Sequence, residues 1–153
     1  LNIIAFHTNA DAVFMGKAFC DKAGFKYQKN IDKFGALASY EGQLSELKKC
    51  LFNIDKNLKI VGNAGSVKNL LVYTGAGGRD EEIIDNAVRC NADAIITSEL
   101  KHSIALNALK RNIIIFEIGH YESEIHFVDY MVKNLNLKNI PVIPAKSSSV
   151  YSD

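Results

Sequence analysis

His120 and Glu124 stand with three residues between them, directly after the apolar run Ile113 to Ile118 and Gly119. On a helix that spacing puts both side chains on one face, one turn apart. A neutral imidazole and a carboxylate so placed can hold one divalent cation, or the carboxylate can bridge two. The same pair on an ordinary helix surface does no chemistry, so position matters: it follows a strand-like run, where parallel α/β sheets build their sites. Three of the four histidines, His7, His102 and His120, fall at or shortly after the end of such a run. A parallel sheet gathers those ends along one edge. His126 lies further on and reads as a surface or packing residue.

Asp11 follows His7 in the polar segment His7-Thr8-Asn9-Ala10-Asp11. Asn9 or Asp11 suits a helix N-cap, and Asp11 equally suits a metal-ligating carboxylate. Glu99, in Thr97-Ser98-Glu99-Leu100-Lys101-His102, reads in two ways. It is either an acid near a helix N-terminus or a carboxylate that orients a histidine. Gly75, Gly77 and Gly78 follow a strand and precede a helix, which invites a dinucleotide-binding reading with Glu99 as the ribose acid. Asp80 stands where the third glycine belongs, and Arg79-Asp80 puts charge where a small residue is needed. A tight strand-to-helix turn is the plainer reading, and a nucleotide-binding α/β module is the competing one.

The elements that must position these groups alternate. Ile3–Phe6 reads as a buried strand and Val13–Lys22 as a helix stopped by Gly24. Phe25–Gln28 and Phe34–Tyr40 read as strands, Ser45–Phe52 as an amphipathic helix and Leu58–Val61 as a strand. Strands are expected at Leu70–Tyr73, Ala94–Thr97, Ile113–Ile118 and Ile140–Ile143. Helices are expected at Glu81–Cys90, with Ile83, Ile84, Ala87 and Val88 inward, and at Ser103–Leu109 and Glu122–Leu135. Such alternation predicts an α/β fold, a layered, mainly parallel sheet with helices packed on it.

The 153 residues fit one domain, and a 48% hydrophobic content supports a sizeable core. A net charge of +1 with dispersed Lys and Arg argues against nucleic acid as a partner. The apolar runs are too short to span a membrane. Cys20, Cys50 and Cys90 are far apart and odd in number, which suits free thiols in a reducing, cytoplasmic setting and leaves His and carboxylates as the metal donors.

Three segments taken in order, His7–Asp11, Ala92–Glu99 and Gly119–Glu124, resemble the dinuclear-metal-centre hexameric proteins called GTP cyclohydrolase 1 type 2 homologues. That family's pattern runs HTNLD, a glycine-rich strand turn, ADxxITG(D/E), then GHxxTE; Tyr73 to Gly78 is similar to the glycine-rich turn. The resemblance implies that Asp11 and His120 ligate metal, that Glu124 bridges two ions, and that His7 lies beside the site. It implies two divalent ions (Zn, Fe, Mn or Co), a homo-oligomer, hexameric in the family, and a small-molecule substrate, a nucleotide by the family's name. The reaction implied is water attack on a purine ring, with His7 as a proton shuttle. A non-catalytic metal-binding or metal-handling protein is the alternative.

Departures accompany the resemblance. Family members carry an N-terminal His-His segment that this sequence lacks. The expectation is therefore a single α/β domain over residues 1–153, corresponding to the central and C-terminal part of a longer family member, with a shortened tail from Ser147 to Asp153. Ser98 replaces the glycine of ITG, and His102 falls one residue before the place of a further family histidine, which leaves its role in doubt.

Overall fold

The computed structural model describes residues 2–63, 65–135, 137 and 140–150, so the last three residues of the tail lie outside the described residues. The central strands are β4 (Asn69–Tyr73), β5 (Ala94–Thr97) and β6 (Ile114–Glu117). Their side chains alternate between two faces. Leu70, Val72, Ala94, Ile96, Ile114 and Phe116 enter one core with Phe19, Leu47 and Leu51. Leu71, Tyr73, Ile95 and Ile115 enter another with Ile83, Ile84, Ala87, Ile104 and Ala108. Burial on both faces explains why these strands read as unbroken apolar runs. Helices α2 (Gly16–Ala23) and α3 (Leu44–Ile54) cover the first face, α4 (Glu82–Arg89) and α5 (His102–Lys110) the second.

With β1 (Lys26–Asn30), β2 (Gly35–Ser39) and β3 (Lys59–Val61), the sheet has six strands in the order β1-β2-β4-β5-β6-β3. The α/β class is as expected, but the sheet is mixed rather than mainly parallel. Only β4-β5 and β5-β6 pair in parallel; β1-β2, β2-β4 and β3-β6 are antiparallel. Parallel neighbours need a long crossover, which α4 and α5 supply. Residues 31–34 are too few to cross the sheet, so β1 and β2 form an antiparallel hairpin.

Before the sheet, right-handed helical backbone runs from α1 (Thr8–Ala10) through a π-helical turn, Asp11–Met15, into α2. Gly24 ends it with φ +73°, a left-handed stop that glycine adopts without strain. After the sheet come α6 (His120–Glu124) and α7 (His126–Asn134). Phe14 stacks on Tyr130 at 4.6 Å between ring centroids, which docks α7 beside the π-helical turn.

Four expectations are corrected. Ile3–Phe6 is not a buried strand: Ile3 is 86% and Ile4 83% exposed, and among the described residues no strand pairs its backbone. Ile140–Ile143 is irregular, with Ile143 82% exposed; Pro141 and Pro144 have no N–H to give a ladder. Val88 is exposed on the outer side of α4 rather than inward. The last helix begins at His120 and is divided at Ile125. No helix among the described residues is long and apolar enough to cross a membrane.

Candidate metal centre

The C-terminal ends of β4, β5 and β6 lie side by side, and each feeds one part of the site. From β4 comes the glycine turn Gly75–Arg79, from β5 the segment Ser98–Lys101, and from β6 Gly119 and α6. This is the sheet edge where α/β proteins place ligands.

Two buried serines lock these parts together. Ser98 Oγ donates to Gly75 O at 2.5 Å, and Gly75 N donates to Ser123 Oγ at 2.9 Å. Ser123 Oγ in turn donates to His120 O at 2.7 Å. The start of α6 is fixed by Asp55, whose Oδ2 accepts from Gly119 N at 2.7 Å. Gly75, at φ +62°, lies so close under α6 that a Cβ there would collide with Glu124 Oε1 and come within 3.5 Å of His120 Nε2.

On α6, His120 Nε2 lies 3.3 Å from Glu124 Oε2. The other ring nitrogen, Nδ1, hydrogen-bonds Glu99 Oε1 at 2.7 Å. Of the two readings of Glu99, the one that orients a histidine is therefore the one found. Glu99 sits outside any helix with φ +54°, a conformation most side chains avoid and that recurs at functional sites. Arg79 Nε lies 2.6 Å from Glu99 Oε2. Burial pushes the Glu124 carboxyl above the usual carboxylate range; His120 opposes that push, the charge of Asp11 adds to it, and His7 opposes it weakly.

Two grooves meet here, one of about 800 Å³ and one of about 520 Å³. The residues common to both linings are His7, Asp11, His120 and Glu124. Folding thus places His7, Asp11, His120 and Glu124 along the same two grooves. His102 does not join them; it is exposed at the start of α5. Asp11 makes no side-chain cap; it opens the π-helical turn, a rare backbone form enriched at functional sites. Sequence reasoning missed Ser123 and Asp55, whose partners lie far along the chain, and took Arg79 only as an obstacle to nucleotide binding.

The donor set fits a divalent ion in part. An imidazole held through Nδ1 by a carboxylate, with Nε2 facing a second carboxylate, is the arrangement of a metal-ligating histidine. Among the described residues, however, no group of three or more His, Cys, Asp or Glu side chains is close enough to hold an ion. The glycines behind the nucleotide-module reading have another explanation. Gly75 is required by Glu124, Gly77 by Tyr73 and Thr97, and Gly78 by Ser98 O, so the glycines are explained by packing within the chain.

The family model for Duf34/NIF3 (NGG1p interacting factor 3) matches residues 1–149. A GTP cyclohydrolase 1 type 2 homolog from Campylobacter jejuni subsp. jejuni is 31% identical over 151 residues, covering 93% of this chain and 57% of that protein. The chain thus spans little more than half the length of this relative. Protein SA1388 of Staphylococcus aureus superposes with a TM-score of 0.77 at 17% identity, over 100% of this chain and 69% of its own. Reduced HcgD from Methanocaldococcus jannaschii superposes with a TM-score of 0.72 at 20% identity, over 86% of this chain and 57% of its own. These two likenesses concern the fold.

Proposed function

We propose, from the premise that this chain belongs to the Duf34/NIF3 family, that it binds divalent metal through Asp11, His120 and Glu124 and acts as a metal-dependent hydrolase. The observation that carries the reading is the His120–Glu124 pair, 3.3 Å apart over a glycine that has no room for a Cβ. Two ions, from among Zn, Fe, Mn or Co, suit the mixed His and carboxylate donors. When bound, they would supply Lewis acidity and a water deprotonated near neutral pH.

The chain's own residues divide the remaining work. Glu99 holds the His120 ring in one orientation. Asp11 and Glu124 concentrate negative charge where the two grooves meet. His7, exposed beside them, is placed to carry a proton between groove and solvent. The larger groove, about 800 Å³, has room for a small molecule. Its mixed lining, Lys33 and Lys101 beside Asp80 and Glu82, does not select the ligand by charge. The substrate class, GTP or a related purine, rests on the name of the Campylobacter relative.

A non-catalytic metal-binding or metal-handling role is the second reading; a coordinatively complete site with no open water position would favour it, and an open position hydrolysis. Assembly as a homo-oligomer, a hexamer by the resemblance, belongs to the same proposal, and light scattering tests it.

Elemental analysis after reconstitution with Zn or Fe, beside Glu124→Gln, tests the metal. Stoichiometric ion in the wild type and little in the variant supports the site; equal content in both removes it. Ring opening of GTP by the loaded protein, absent from Glu124→Gln, separates hydrolase from metal handler.

A further inference from the structure

We infer that Arg79 is a positioning residue for the site: its guanidinium holds Glu99, and through Glu99 it fixes the tautomer and orientation of His120. The inference deepens the metal-site reading above and rests on it for its consequence, but not for its geometry.

Three observations carry it. Arg79 Nε lies 2.6 Å from Glu99 Oε2, while Glu99 Oε1 takes His120 Nδ1 at 2.7 Å. One carboxylate is thus shared between an arginine and the ring, one oxygen to each. Next, Glu99 Oε2 is buried and has no hydrogen-bond partner among the described residues, so the Arg79 cation is its only compensation there. A buried carboxylate oxygen that loses its counter-charge is costly, and the side chain then turns toward water. Last, the backbone holds Arg79 against Glu99. Gly78 N donates to Ser98 O at 2.9 Å and Lys101 N donates to Gly78 O at 3.2 Å. These bonds clamp the glycine turn to both flanks of Glu99, and Gly78 permits it because a Cβ would collide with Ser98 O. Arg79 is the next residue along.

The chemical consequence follows from the ring. Carboxylates face both ring nitrogens, but only Nδ1 makes a hydrogen bond, to Glu99 at 2.7 Å, while Nε2 stands 3.3 Å from Glu124; the shorter contact favours the tautomer with its proton on Nδ1. Without Arg79, Glu99 is free to leave, and the neutral ring returns to a mixture of tautomers. Surface ion pairs contribute little to stability, and Arg79 is 64% exposed, so the fold does not depend on it.

The test reads the ring directly in the metal-free protein. Long-range proton–nitrogen NMR spectra of ¹⁵N-histidine-labelled chain, recorded at about pH 8.5 where imidazoles are neutral, report the tautomer of His120. His120→Gln assigns the signal. The expected result is a dominant Nδ1-protonated form in the wild type, a mixed population in Arg79→Gln, and retention of the wild-type form in Arg79→Lys, which keeps the charge. The same populations in wild type and Arg79→Gln overturn the inference, as does an equal loss in Arg79→Lys and Arg79→Gln. Zinc titration then reads the consequence: Arg79→Gln is expected to bind about 10- to 100-fold more weakly. Should the wild type bind no zinc, the metal reading fails while the tautomer result still decides the role of Arg79.

Discussion

Gly75 and Glu124 are mutually dependent: the carboxylate occupies the space that any side chain at position 75 would need, and the backbone there stands at φ +62°. Gly75→Ala therefore carries two penalties. The left-handed backbone costs about 1–2 kcal/mol for a residue with a Cβ, and the methyl displaces Glu124. Urea denaturation is expected to show that loss, and elemental analysis a fall in bound metal. Gly24→Ala is the control. It has the same backbone conformation, φ +73°, with nothing within 4 Å of a Cβ, so it should lose similar stability and keep its metal.

A pH dependence is expected from His126. Burial, and then the Lys22 charge, lower its pKa below the ordinary histidine value, while Asp129 and a backbone hydrogen bond act the other way. In the window between the lowered folded value and about 6.5, the unfolded chain binds the proton and the folded chain does not. Stability therefore rises with pH through that window and falls on acidification. His126→Phe removes the titrating ring and keeps an aromatic against Phe19, 5.8 Å away between ring centroids. Thermal unfolding from pH 5 to 7.5 should show a flatter profile for the variant; unchanged slopes would assign the effect elsewhere.

Tyr73→Phe probes the frame beneath the larger groove. Tyr73 OH donates to Asp32 Oδ2 at 2.7 Å and accepts from Asn86 Nδ2 at 2.7 Å. Asp32 Oδ1 also accepts from Phe34 N and Gly35 N, which shapes the β1–β2 turn. Losing a hydrogen bond to a charged acceptor costs about 1.5–3 kcal/mol. Chemical denaturation should show that loss, with metal content unchanged.

Phe19→Ala tests the core that carries the site's helices. Phe19 is fully buried against the sheet and touches Phe25 and His126. A loss of about 3–5 kcal/mol is expected, read from the urea midpoint. A loss below 1 kcal/mol would mean that the cavity collapses.

Much of the layout was legible in the sequence because local pattern and tertiary role agreed. The stretches Leu70–Tyr73, Ala94–Thr97 and Ile113–Ile118 read as buried strands and became the centre of the sheet. Gly24 read as a helix stop and is one, since its left-handed backbone is a local requirement. His7, Asp11, His120 and Glu124 were named from residue type, spacing and resemblance to a family pattern, and they line the same two grooves. Pattern misled where pairing decides. Ile3–Phe6 and Ile140–Ile143 have the composition of strands, but a strand exists only if a neighbour takes its hydrogen bonds.

By itself, then, the sequence determined the α/β class, the central strands and the chemical types of the side chains that line the two grooves, because side-chain periodicity and chemical type are local properties. Tertiary structure alone decided the mixed strand directions, that His120 is the histidine Glu99 orients, and the part played by Arg79. Those depend on which strand ends become neighbours and on a glycine turn pressed against a loop some twenty residues further along the chain. Such contacts are set by the packing of the whole sheet, and no spacing in the chain encodes them.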